Sequence, residues 1–215
     1  RADTAGSSTI TKAGVIPHES EQTTHLSVAD KWGNVVSVTT TLNGGYGSRT
    51  VVGGAGFLMN NEMDDFSIKP GVPNMYGALG TEANAIAPGK RMLSSMTPTI
   101  VLKGKFPCFV VGTPGGTTIP TSVFQALVNV IDYKMPPDEA INAPKFHHQW
   151  LPDEIAMERR NSAPNVVTRL QQMGHKVKLQ GTIGDVQAIF KDPVNGSVTG
   201  VSDPRSADGK ASYQK

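Results

Sequence analysis

Between Asp65 and Arg91 the chain places Pro70, Gly71, Pro73, Gly77, Gly80, Pro88 and Gly89. No long helix or strand survives that punctuation, because proline removes a backbone donor and glycine lowers the cost of turning. The segment is therefore a long loop, which is uncommon inside a domain unless it carries function. It divides the chain into a β-rich first part and a mixed second part.

Before the loop, Thr24–Asp30 and Val35–Leu42 read as two strands joined by Lys31-Trp32-Gly33-Asn34, a Gly-Asn hairpin signal. Both faces of the second strand are largely uncharged, which suits a sheet covered on both sides. Glycine-rich loops at 43–48 and 53–56 lead to a short strand expected at Phe57–Asn60. After the long loop come a strand pair, Thr97–Lys103 and Phe106–Gly112, and then a helix over Thr117–Tyr133. That helix carries Ile119, Val123, Leu127, Val130 and Ile131 at helical spacing. A shorter helix starts near Pro136-Pro137-Asp138-Glu139, where prolines and acids suit a first turn. Asn142–Trp150 reads as irregular, Asn165–Met173 as a helix stopped by Gly174, and Val177–Leu179, Val186–Lys191 and Val198–Ser202 as closing strands. No internal repeat and no βαβ alternation is visible, so the pattern reaches α+β and stops there.

Composition removes several classes of function. The 215 residues suffice for one domain with a buried core, and a net charge of +2 with scattered basic residues argues against a nucleic-acid or polybasic membrane surface. The single cysteine, Cys108, reads as a buried strand residue and cannot form an internal disulfide. No signal peptide or membrane-spanning run is legible, and the opening at Arg1 rather than Met leaves room for a leader upstream.

Four motifs then stand out: Thr23-Thr24-His25-Leu26-Ser27-Val28, Asn60-Asn61-Glu62-Met63-Asp64-Asp65-Phe66, Leu93-Ser94-Ser95-Met96-Thr97-Pro98-Thr99 and Gly112-Thr113-Pro114-Gly115-Gly116. Together they resemble the small-subunit part of the γ-glutamyltranspeptidases, a family of N-terminal-nucleophile hydrolases, and the likeness runs from Glu19 to about Arg205. The resemblance implies a four-layer αββα sandwich, half of it supplied by this chain. It makes residues 1–22 the tail of a large-subunit region and residues 23–215 the catalytic small subunit, with Gln22-Thr23 as a self-cleavage site. It further implies a heterodimer with a large subunit from the same precursor, a periplasmic or secreted location and no cofactor. The substrates would be γ-glutamyl compounds such as glutathione, with water, amino acids or peptides as acceptors.

The chemistry of the motifs agrees with those roles. A threonine hydroxyl is a poor nucleophile unless a base takes its proton, and a free α-amine on the same residue, with a pKa of about 7.7–8.0, can do so. The family's nucleophile falls on Thr23, and its hydrogen-bonding neighbours fall on Thr41 and Asn43. Gly115 and Gly116, where a strand ends and a helix begins, let backbone amides approach a developing oxyanion. A phosphate-binding loop is the rival for this glycine cluster, but the Walker spacing is missing. Glu62 and Asp65 match the positions that take the substrate ammonium, and Ser94 and Ser95 those that donate to its carboxylate. An arginine on that carboxylate would come from the large subunit. The long loop with Tyr76 resembles the lid that many family members close over the bound glutamyl group, with a surface loop of no catalytic duty as the alternative.

Three further readings follow from the same residues. His147-His148 with Asp153 and Glu154 invites a metal, but the spacing favours packing or hydrogen-bonding histidines near a sheet edge. His25 shares a strand face with Thr23 and invites a triad, which an N-terminal amine makes unnecessary. Asp203-Pro204-Arg205 reads as structural. As rivals to the whole assignment stand an acylase of the same superfamily, of the glutaryl-cephalosporin type, and an unprocessed, non-catalytic fragment.

Overall fold

The computed structural model describes residues 23–160, 162–206 and 209–213. The tail at 1–22 and the Gln22-Thr23 bond therefore lie outside the described residues.

Strands β1 (Thr24–Ala29) and β2 (Val35–Thr40) form the expected antiparallel hairpin, with Leu26 opposite Val38 and Val28 opposite Val36. Asp30 fixes its turn: one carboxylate oxygen accepts from the amides of Trp32 and Asn34, and the other from Asn34 Nδ2. Strand β2 ends at Thr40 rather than Leu42, because Asn43 turns to φ +70° and donates its amide to Thr41 Oγ1. This early end sets up the site.

A second sheet has the order β3 (Thr99–Lys103), β4 (Phe106–Gly112), β8 (Gln187–Lys191) and β9 (Val198–Ser202), antiparallel throughout. The hairpin packs on β4 and β8, with Ser37 Oγ donating to Val111 O and the His25 ring lying against Gly112. Helices α1 (Ile119–Ile131) and α2 (Pro137–Asn142) cover the other face of this sheet. The core between them is Phe109, Val111, Val123, Ala126, Ile141, Val186 and Ala188. The layers therefore run α, β, β. Strand β4 is covered on both sides, and its residues 109–112 are all buried.

The hairpin's outward face is open among the described residues: Leu26 is 57% exposed, Val28 43%, Val36 49% and Val38 42%. Within the described residues β4 is covered on both sides, whereas β1–β2 is covered on one.

A third sheet corrects the sequence reading. Strand β5 (Phe146–His147) pairs antiparallel with β6 (Ile155–Glu158), which pairs parallel with β7 (Val177–Gln180) across helix α3 (Pro164–Gln172). A βαβ unit is therefore present, contrary to the expectation of none, and Asn142–Trp150 is not wholly irregular. Both new strands are short, and β5 is held partly by a side chain. Gln125 on α1 accepts from the amide of Phe146 and donates to its carbonyl. The strand expected at Phe57–Asn60 reduces to one bridge, Val51 to Leu58. Helix α1 starts two residues late, after a 3-10 turn at Gly116–Thr118, and Ile131 is exposed. Cys108 is half-buried rather than enclosed, with its thiol donating to Val101 O. Among the described residues, no helix is long and apolar enough to cross a membrane.

Candidate active site

Thr23 sits one residue before β1 and is 7% exposed. Its hydroxyl donates to Thr41 Oγ1 at 3.0 Å, and the same oxygen accepts the Asn43 amide at 2.9 Å. The hairpin register places them, since Thr24 lies opposite Thr40 and Thr41 follows directly. Asn43 is buried in a left-handed conformation, which asparagine tolerates better than most residues. Its side chain donates to Asn61 O and its carbonyl accepts the Tyr76 hydroxyl at 2.5 Å. Asn61 Oδ1 in turn accepts from Gly44 N. The hairpin end is thereby stitched to the segment that carries Glu62 and Asp65.

Tyr76 links the hairpin end to the glycine turn. It is buried, and a Cβ built on Gly116 would lie 3.2 Å from its ring. Gly116 has φ +55° and Gly115 φ +133°, where a Cβ would meet Thr118 Oγ1 at 2.5 Å. Neither position accepts a side chain without strain. The Gly115 carbonyl is drawn into the start of α1 by the Thr118 amide and hydroxyl. Thr23, Thr41, Asn43, Tyr76 and Gly116 thus form one connected set, from loops far apart in sequence.

Glu62 and Asp65 bracket a 3-10 turn. Burial, then the charge of Asp65 and a hydrogen bond with it, push Glu62 up to about 7. Burial, then the charge of Asp64, raise Asp65 as well, while its bond to Glu62 works the other way. Two half-buried carboxylates that share a proton are short of one positive charge. Asn84 ties this turn to the serine segment, donating to Asp65 O and accepting from Leu93 N. Ser95 is half-buried and lines a cavity of about 280 Å³ together with Asp65, Tyr76 and Thr117. Ser94 stands exposed, its oxygen accepting the Met96 amide and its own proton left to donate. Thr23 lines a different cavity, of about 500 Å³, between the hairpin and β8–β9.

Support for the glycine segment comes from a buried cluster of four charges. Arg205 pairs with Glu158 and Asp203, and Lys145 with Asp203. Glu158 Oε1 accepts the Ile183 amide and Asp203 Oδ2 that of Val186. Between them, the Asp185 amide donates to Thr113 Oγ1 at 2.7 Å, two residues before Gly115. Arg205 is structural, as expected.

His25 does not serve Thr23. Its ring nitrogens meet Thr39 Oγ1 at 2.7 Å and Ser27 Oγ at 3.0 Å, and burial pushes it down to about 4. His147 is likewise a hydrogen-bonding residue, between Thr121 and Gln149. Among the described residues no group of three or more potential metal ligands converges. Sequence reasoning missed Asp64, which accepts the Met75 amide in the long loop, and the linkers Asn61, Asn84 and Gln149. Of these, Asn61 and Asp64 sat inside a motif already singled out, and their polar, turn-forming character was the available signal.

The chain as a whole is similar to known proteins. The γ-glutamyltranspeptidase family model matches residues 2–213. A glutathione hydrolase proenzyme of Escherichia coli is 52% identical over 202 residues, which cover 94% of this chain and 34% of that protein. One of Pseudomonas aeruginosa is 49% identical, covering 90% and 34%. The chain therefore spans about a third of the length of these relatives. A solved γ-glutamyltranspeptidase structure from Helicobacter pylori, an engineered mutant, is 54% identical with a TM-score of 0.81, covering 85% of this chain and all of that one. A cephalosporin acylase from Bacillus halodurans is more distant, at 29% identity and a TM-score of 0.76, covering 89% and 34%. The α+β layers described above are accordingly those of the small-subunit half of an N-terminal-nucleophile hydrolase, and the chain belongs to the γ-glutamyltranspeptidase family.

Proposed function

We propose that this chain is the catalytic part of a γ-glutamyltransferase and glutathione hydrolase that matures by cutting itself at Gln22-Thr23. In maturation, Thr23 Oγ attacks the Gln22 carbonyl, the peptide C–N bond breaks and the nitrogen takes up the hydroxyl proton, leaving an ester and a free Thr23 amine. Water then hydrolyses the ester, freeing the Gln22 carboxylate and the Thr23 hydroxyl. In turnover, that amine takes the hydroxyl proton as Oγ attacks the γ-carbonyl of the donor. Amides of the Gly115–Gly116 segment hold the oxyanion. The proton passes to the departing amine, leaving a γ-glutamyl ester on Thr23. Water, or the amine of an amino acid or peptide, resolves that ester.

Glu62 and Asp65 take the donor's ammonium, and Ser94 and Ser95 its carboxylate. A large subunit from the same precursor supplies the remaining carboxylate partner and covers the apolar outer face of the hairpin. A periplasmic or secreted location fits this chemistry. The observation that carries the reading is the hydroxyl pair Thr23–Thr41, continued through Asn43 and Tyr76 to Gly116.

Likeness to a cephalosporin acylase keeps a second reading in play. The two differ at the head group, because a glutaryl donor has no ammonium to satisfy Glu62 and Asp65. In the full-length protein, Thr23→Val is expected to remain a single chain by mass spectrometry and to show no turnover. The unsubstituted protein is expected to yield a new N-terminus at Thr23 and to prefer γ-glutamyl over glutaryl anilides. An uncut wild-type chain after long incubation, or equal rates on both anilides, overturns the assignment.

A further inference from the structure

The lid loop is fastened at several places, and one of them belongs to neither the nucleophile nor the head-group site. Asp64 accepts the Met75 amide, the Tyr76 hydroxyl reaches Asn43 O, and Met75 Sδ accepts from Asn43 and Asn61. A further fastening is Gln149, just past β5. Its Oε1 accepts from Thr117 Oγ1 at 2.7 Å and from His147 Nε2 at 3.0 Å, and its Nε2 donates to Leu151 O at 3.1 Å and Tyr76 O at 3.4 Å. The amide has no choice of orientation, since the last two partners are carbonyl oxygens and accept only. For the same reason His147 carries a proton on Nε2 whether it is neutral or charged.

These lengths divide the amide's duties. Three bonds of 2.7–3.1 Å fix Gln149 to the body: to the turn after the oxyanion glycines, to β5 and to its own loop. The fourth, to the lid, is the longest and therefore the first to yield. Gly77 adds contact from the lid side. It is buried at φ +74°, and a Cβ there would stand 3.3 Å from Gln149 Nε2. Thr117 lies directly after Gly116, so the same amide touches both the lid and the segment that would stabilise the oxyanion.

We propose that Gln149 is a positioning residue, the body-side catch that holds the Tyr76–Gly77 lid segment against the oxyanion turn and so governs how far water reaches the acyl-enzyme. This rests on the lid reading of Tyr76 given above. Opening the lid breaks no covalent bond. At Gln149 it costs the Nε2 contact and the packing of Gly77, in addition to the Met75 and Tyr76 bonds above, while Thr117 and His147 keep their hold on Oε1.

Two substitutions in the full-length protein separate a catch from a merely structural residue. Gln149→Ala removes all four bonds. Gln149→Glu keeps two acceptor oxygens for Thr117 and His147 but sets an oxygen against the carbonyls of Tyr76 and Leu151. Hydrogen exchange is read at the lid amides Asn74, Gly77 and Ala78, with α1 amides as the internal standard. Both variants are expected to speed lid exchange by about tenfold, the change that ~1.4 kcal/mol produces, and to leave α1 unchanged. With a γ-glutamyl donor, both are expected to raise KM more than they lower kcat and to shift product from transfer toward hydrolysis. Unaltered lid exchange in both variants overturns the proposal. So does equal loosening of α1 and lid in Gln149→Glu, which marks a structural role. If the wild-type protein turns over no γ-glutamyl donor, the functional reading fails while the exchange data still decide the catch.

Discussion

The carboxylate pair Glu62–Asp65 gives the site a pH signature that can be worked out in advance. In the unliganded site Glu62 holds its proton up to about 7, first because it is partly desolvated and second because Asp65 lies beside it. Taking an ammonium requires that proton to leave, so donor capture is expected to weaken as pH falls through 7. At about pH 6 some nine in ten sites would be protonated at Glu62, an additional loss of about tenfold in kcat/KM. The Thr23 amine must also be unprotonated, and at an ordinary value of about 7.7–8.0 it contributes a second acid limb. Below both values log kcat/KM should therefore rise with a slope approaching two. Glu62→Gln is neutral like the protonated site and removes one titration, so the variant should show a lowered kcat/KM across the range with a slope of one. The assay is initial rate on a γ-glutamyl anilide across pH 5–8, at donor concentrations well below KM. A slope of one in the wild type, or an unchanged slope in the variant, refutes the shared-proton reasoning. The same linkage has a stability face. A carboxyl whose folded value is raised favours the folded state most below its unfolded value near 4.5, and that contribution is lost as pH climbs through about 7. Thermal melting of the unliganded protein should accordingly soften across that window, and a donor analogue carrying an ammonium should restore it.

Two further outcomes follow from the geometry. Gly116→Ala places a Cβ at φ +55° and 3.2 Å from the Tyr76 ring; it is expected to lower kcat by on the order of a hundredfold with a smaller change in stability, read by steady-state kinetics beside a urea titration. Arg205→Ala leaves Glu158 and Asp203 buried without their main cation, and is expected to cost about 3–5 kcal/mol, read as a fall in the urea midpoint. Burial alone would raise Glu158, but its bonds from Arg205 and from backbone amides hold it below the usual carboxylate range. Its stabilising contribution is present above that range and lost as pH falls through the lowered value, so the wild type should lose more stability on acidification than Arg205→Ala does.

The strands and helices with strong local signals were legible in the sequence: the hairpin and its Gly-Asn turn, the β3–β4 pair, α1 and the glycine at the end of α3. The β5–β6–β7 sheet was not, because its strands are too short to show a period and β5 draws its partner from the Gln125 side chain. The segments that carry Thr23, Glu62–Asp65, Ser94–Ser95 and Gly115–Gly116 were each visible as motifs. What joins them was not. Asn61, Asn84 and Gln149 act through side-chain bonds to residues far off in sequence, and an asparagine or glutamine in a loop looks the same whether it links two loops or faces solvent. Early termination of β2 was likewise hidden, since it depends on the left-handed turn at Asn43 and not on any proline or glycine before it.

The open side of the β1–β2 hairpin bears on how such a polypeptide is made. Four aliphatic side chains alternate outward from two paired strands, and neither strand is hydrogen-bonded to a third among the described residues. A ribosome product that exposes this surface for long invites edge-to-edge stacking with its own copies. Successful production should therefore depend on how soon a complementary layer arrives. Synthesis as one continuous precursor, with scission postponed until after collapse, would keep that waiting time short.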